Sequence, residues 1–167
     1  MSIFKDKTII ITGAAMGLGL AASKAVALKG ANLSIIDYNS EALEKAKAEI
    51  LSAAPSAKII TIVADVSDEQ AVKNYVDQTV AEFGRIDGFY NNAGIEGKQA
   101  PLVDYDINIF KKVIDINLMG VYYGLKYVIP VMQKQGGGKI VNVASVGGIR
   151  GVLNQMPYVA SKHAVSG

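Results

Sequence analysis

The chain has 167 residues, half of them apolar and 19% charged, with a formal net charge of +2 and no cysteine. The length suits one domain with a sizeable core, and the composition excludes a disordered chain or a nucleic-acid or membrane footprint. The absence of cysteine excludes disulfides and thiolate metal sites and fits a reducing compartment.

Residues 7–12 form a short isoleucine-rich run, as expected of a strand buried on both faces of a parallel sheet. The stretch Thr12-Gly13-Ala14-Ala15-Met16-Gly17-Leu18-Gly19 follows, then an alanine-rich helix ending near Gly30. A second strand covers 32–37. Asn39 or Ser40 caps a second helix that turns Leu43 and Ile50 to the core. Residues 58–64 form a third strand, closed by Asp65. Ser67 to Gln70 reads as a capping box, and the helix behind it carries an apolar face of Val72, Tyr75, Val76, Val80 and Phe83. Residues 87–91 form a fourth strand, with Asn91-Asn92-Ala93-Gly94 as its turn. After a loop, a long helical pattern spans 107–135, with Pro130 as the expected kink and Gly136 to Gly138 as its stop. A fifth strand covers 139–144, and glycines 147, 148 and 151 lead to a last helix opened by Pro157. Strand and helix alternate throughout, which predicts an α/β fold: a doubly wound parallel sheet in three α/β/α layers, a Rossmann fold, within a single domain.

In such a sheet ligands bind at the carboxyl ends of the strands. Gly13, Met16, Gly17, Leu18 and Gly19 lie between the first strand and first helix, where backbone N–H groups and a helix N-terminus hold a pyrophosphate. Asp37 ends the second strand, where an acidic residue takes the adenosine ribose hydroxyls. A carboxylate there repels a 2′-phosphate, and Ala14, Ala15 and Tyr38 supply no cation against it. The expected cofactor is therefore NAD, preferred over NADP.

Tyr158 and Lys162 are four apart, so a helix opened by Pro157 puts both on one face. A phenol titrates near ~10 unaided, and an ammonium one turn away favours its phenolate. The pair can exchange a proton with an alcohol or carbonyl oxygen. Ser145 ends the fifth strand thirteen residues earlier, where a plain turn serine is the alternative. Asn117 falls on the apolar stripe of Phe110, Val113, Val121 and Leu125; an amide there costs ~1–3 kcal/mol unless it finds partners. His163 points away from this face, and Asp104, Asp106 and Asp115 show no metal-ligand arrangement, so no metal is expected. Tyr122, Tyr123 and Tyr127 read as core or subunit-contact aromatics.

The Gly-x-x-x-Gly-x-Gly spacing, Asn91-Asn92-Ala93-Gly94, Ser145 and Tyr158-x-x-x-Lys162 together resemble the short-chain dehydrogenase/reductase family, over essentially the whole chain. The resemblance implies an oxidoreductase interconverting a secondary alcohol and a ketone. It implies that Asn117, Ser145, Tyr158 and Lys162 form the catalytic tetrad, with Tyr158 as acid/base and Ser145 on the substrate oxygen. Lys162 would tune Tyr158 and grip the nicotinamide ribose, while Asn117 would hold a water. Thr12 and the glycines would form the cofactor turn. Asp65 and Val66 would contact adenine, and Asn91, Ala93 and Gly94 would shape the floor. Glu96 and the stretch 146–151 look similar to members acting on cyclic ketones and alcohols. Homo-oligomers and a domain of roughly 250 residues are also implied, so a chain ending at Gly167 is expected to be a fragment or a truncated protein. A non-catalytic nucleotide-binding or interaction domain is the competing reading. Met1 to Asp6 has no signal-peptide pattern and no apolar run nears ~20 residues, so a soluble cytoplasmic protein is expected.

Overall fold

In the computed structural model, residues 3–167 are described; Met1 and Ser2, part of the segment read for a leader, lie outside them. Five strands form one parallel sheet in the order β3-β2-β1-β4-β5. They are β1 (Thr8–Thr12), β2 (Asn32–Asp37), β3 (Ile59–Val63), β4 (Gly88–Asn91) and β5 (Lys139–Asn142). The connecting helices are α1 (Gly17–Ala27), α2 (Ser40–Ala53), α3 (Glu69–Phe83), α4 (Ile107–Ile114) and α5 (Gly120–Lys134), and α6 (Met156–Ser166) follows β5. This is the expected doubly wound fold.

The isoleucine run makes the sheet central because its neighbours alternate between two cores. Ile10 joins Ile36, Val72, Tyr75, Phe89 and Val128 on one face. Ile9 and Ile11 join Leu33, Ile35, Leu43 and Ile50 on the other. At ~1.5–3 kcal/mol for each fully buried aliphatic side chain, β1 alone anchors both layers. Among the described residues no helix is long and apolar enough to cross a membrane.

Asn39 caps α2, its side chain accepting from the Ala42 N–H at 3.0 Å. The capping box at Ser67 does not form. Asp65 captures both the Ser67 N–H (2.9 Å) and its hydroxyl (2.7 Å), and Asp68 caps α3 instead, on the N–H groups of Gln70 and Ala71. A carboxylate two residues upstream outcompetes the helix for that serine.

The long helix is interrupted elsewhere than expected. It runs through Pro130, which is exposed, and changes at Asp115–Met119 into one π-helical turn between α4 and α5. Such turns concentrate at functional sites, and Asn117 sits inside this one. Asp106 caps α4 through the N–H groups of Asn108 and Ile109. Tyr127 donates to Glu69 at 2.8 Å, tying α5 to α3, whereas Tyr122 is exposed.

Candidate active site

The strand order reverses between β1 and β4, so their carboxyl ends open a crevice. Thr12 closes its floor: its hydroxyl oxygen accepts from the N–H groups of Asn92 and Ala93, both at 3.0 Å. The Asn92 amide returns to the carbonyl oxygens of Thr12 (2.9 Å) and Gly13 (3.3 Å). Gly13 turns with φ +64°, and a Cβ there would lie 3.0 Å from Ala93 Cα. A Cβ on Gly19 would sit 2.1 Å from the Gly13 carbonyl oxygen, so only glycine lets α1 start this close to the turn. Gly17 faces open space.

Two clefts share this floor. The first, of about 510 Å³, is lined by Gly13, Met16, Leu18, Asp37, Asp65, Val66, Ala93 and Gly94 among others. Asp37 is oriented by two backbone donors, the Ala15 N–H on Oδ2 and the Asn39 N–H on Oδ1, both at 3.1 Å. Each carboxylate oxygen keeps a lone pair for a hydroxyl.

The second cleft, of about 600 Å³, is lined by Leu18, Gly94, Ser145, Tyr158 and Lys162, with Glu96 and Gln155 hydrogen-bonded to each other in its wall. Pro157 lies in the first turn of α6, and Tyr158 and Lys162 project together as the helical spacing predicts. Lys162 Nζ lies 5.8 Å from the centroid of the Tyr158 ring. It donates to the Val143 carbonyl at 2.7 Å, which ties α6 to the end of β5. Lys162 is only 4% exposed, and this burial pushes its ammonium below the ordinary lysine range. Ser145 Oγ accepts from the Gly147 N–H at 3.2 Å, leaving the hydroxyl hydrogen for a partner in the cleft. A Cβ on Gly147 would lie 3.3 Å from the Tyr158 ring, so the loop after Ser145 backs that ring closely.

Asn117 is fully buried and lines neither cleft. Its Oδ1 accepts from the Ile95 N–H (2.8 Å), and its Nδ2 donates to the Ile95 carbonyl (2.8 Å) and to Ser161 Oγ (3.1 Å). The partners that the amide needed on an apolar stripe are thus protein groups, and both amide hydrogens are spent on them. Asn91 also lies outside both clefts. Its Nδ2 donates to the Val121 carbonyl and to Asn142 Oδ1, each at 3.2 Å, joining β4 to α5 and β5. Asn92, next along the chain, lines both clefts and was missed by the sequence reading. Lys112 and Ser161 were missed too. Lys112 brings the first cleft a cation from α4, and nothing in its sequence context signals this. His163 is exposed, its Nδ1 against the Val159 carbonyl at 2.9 Å. Among the described residues no group of three or more His, Cys, Asp or Glu could hold a metal ion.

Residues 7–167 match the family described as short chain dehydrogenase, and the chain belongs to that family. Among its relatives, levodione reductase from Leifsonia aquatica is 53% identical over 98% of this chain and 61% of its own length. The crystal structure of levodione reductase superposes with a TM-score of 0.95, covering 97% of this chain and 63% of that one. The 2,5-dichloro-2,5-cyclohexadiene-1,4-diol dehydrogenase of Sphingobium indicum (strain DSM 16412 / CCM 7286 / MTCC 6364 / B90A) is 40% identical over 100% of this chain and 65% of its own length. An NAD+-bound xylitol dehydrogenase structure is 39% identical with a TM-score of 0.94, covering 98% of this chain and 62% of that one. The chain therefore spans under two thirds of the length of these relatives.

Proposed function

We propose that the protein is an NAD-dependent oxidoreductase that interconverts a secondary alcohol and a ketone, with residues 1–167 forming a single dinucleotide-binding domain. The observation that carries this reading is the meeting of Ser145, Tyr158 and Lys162 in a cleft that shares its floor with a glycine-lined crevice. The crevice suits a dinucleotide: Gly17 faces open space, Gly13 and Gly19 let turn and helix approach, and Asp37 presents acceptors to ribose hydroxyls. Gly13, Met16, Leu18, Asp65, Val66, Ala93 and Gly94 would hold it along the floor, with Asn92 beside them. NAD, when bound, supplies the hydride acceptor.

The chain's own groups handle the proton. Ser145 donates its free hydroxyl hydrogen to the substrate oxygen, and Tyr158 takes or returns the proton there. Lys162 keeps two donor hydrogens for hydroxyls in the cleft. Asp37 favours NAD over NADP, because its carboxylate would face a 2′-phosphate; Lys112 is the one cation among the described residues lining that cleft. A ring-bearing alcohol or ketone is the proposed substrate. The Sphingobium relative, whose name specifies a cyclohexadiene-diol, supports this. A cytoplasmic homo-oligomer completes the reading, with exposed Tyr122 and Ile129 on α5 as contact candidates.

The test is NADH formation, followed by absorbance, with cyclohexanol, cyclic diols and xylitol, using NAD or NADP, in wild type, Tyr158→Phe and Asp37→Ala. Turnover of a cyclic alcohol with NAD, lost in Tyr158→Phe and relaxed toward NADP in Asp37→Ala, is the expected result. Tight NAD binding without turnover of any alcohol would refute the enzyme reading, and a wild-type preference for NADP would refute the role of Asp37.

A further inference from the structure

A serine inside a helix commonly bonds a carbonyl of the preceding turn and does nothing more. Ser161 does this, donating to the Tyr158 carbonyl at 2.8 Å. It also accepts from Asn117 Nδ2 at 3.1 Å, across 44 residues of sequence. Both partners of the hydroxyl are therefore set, and both Ser161 and Asn117 are fully buried. On its other side the Asn117 amide grips both backbone groups of Ile95, which lines both clefts. One unbroken chain of hydrogen bonds thus joins the cleft wall, the π turn and the backbone of the reacting tyrosine.

The first turn of α6 packs against the loop after Ser145 and reaches Glu96 through the Gln155 amide, but no side chain caps it. Gln155, at the cap position, makes no side-chain cap bond, and Pro157 has no N–H to give. The place of the phenol relative to Ser145 and Lys162 depends on that turn. We propose that Ser161 is a positioning residue for the reaction, the link through which Asn117 sets the place of Tyr158; this rests on the reaction proposed above. In this arrangement Asn117 acts without touching the reacting atoms, and Ser161 is the part of the linkage that reaches Tyr158.

The experiment measures kcat on cyclohexanol, and Kd for NAD and for AMP, in wild type, Ser161→Ala, Ser161→Thr, Asn117→Ala and the double variant Asn117→Ala/Ser161→Ala. Ser161→Ala is expected to lower kcat about tenfold, the scale of a modest misplacement of an acid/base group. The Kd for AMP, which reports the distant adenosine end, should stay within about twofold of wild type. Ser161→Thr keeps the hydroxyl and should recover most of the rate. Because the two residues act in series, the double variant should be no slower than Asn117→Ala alone. A wild-type kcat in Ser161→Ala, or losses that multiply in the double variant, would overturn the proposal. So would a fall in AMP affinity parallel to that in kcat, since it marks general unfolding. If the wild type binds NAD but oxidises no alcohol, the proposed reaction fails instead, and the ratio of NAD to AMP affinity decides about Ser161. A ratio lowered in Ser161→Ala and restored in Ser161→Thr supports the link, and an unchanged ratio ends it.

Discussion

Asp87 lies at the amino end of β4, on the side of the sheet away from the clefts, and its replacement by asparagine tests the fold without disturbing the site. The carboxylate is 12% exposed, and that burial alone would raise its pKa. Hydrogen bonds from Arg85 (2.6 and 2.7 Å), the Thr8 N–H (3.0 Å) and Lys7 (3.1 Å) outweigh it and hold the group down to about 2, against an ordinary 3.8. At 1.36 kcal/mol per pKa unit, that drop corresponds to at most roughly 2.5 kcal/mol. Lys7 and Arg85 are 44% and 47% exposed, so solvent screening reduces it to about 1–2 kcal/mol. The folded-state pKa is depressed, so the contribution is complete above pH ~4 and fades as pH falls through 2. Urea unfolding followed by circular dichroism, in wild type and Asp87→Asn from pH 7 down to pH 2.5, measures it. The gap should be about 1–2 kcal/mol at pH 7 and shrink steadily below pH 4. A gap independent of pH would show that shape, and not charge, is what Asp87 contributes.

Lys162→Met should abolish turnover yet raise stability at neutral pH by about 1 kcal/mol, because burying a charge with one carbonyl partner is unfavourable. Since burial lowers the lysine pKa, the stability advantage over wild type should narrow as pH rises toward 10.5; thermal melts at pH 7 and 10 check the sign. Gly19→Ala would drive a Cβ to 2.1 Å from the Gly13 carbonyl oxygen, so calorimetry should find NAD binding lost and stability reduced by at least ~1–3 kcal/mol. Among the described residues the buried Tyr75 hydroxyl has no hydrogen-bond partner, and burial pushes its phenol far above the usual value. Tyr75→Phe should therefore be neutral or stabilising by about 1 kcal/mol in urea unfolding, and a clear loss would reveal a partner for that hydroxyl.

The strands were legible because a parallel sheet demands continuous apolar runs, and few other structures tolerate Lys7 to Thr12 or Asn32 to Asp37. The glycine turn was legible because no other side chain fits between α1 and Gly13. The π turn was not: an apolar stripe passes through one inserted residue with little change, so Asn117 looked like a polar intruder on a regular helix. Nor could sequence decide between Asn91 and Asn92, since adjacent residues leave a strand on opposite sides and either could have faced the cleft. Ser67 was misread because its rival, Asp65, competes from outside the helix. Ser161 stood beside Lys162 without signal, since its partner lies across the fold.

The Thr12 hydroxyl has a mechanical consequence. At the switch point of the sheet, beside the direct pairing of β1 with β4, four hydrogen bonds of the Thr12 hydroxyl and the Asn92 amide rivet β1 to the turn after β4. The ends of a dinucleotide laid across that seam would rest on one plate with no give between them. In the proposed reaction, any opening and closing that admits a substrate would then fall to the loops above the plate, with the spacing along its floor held constant.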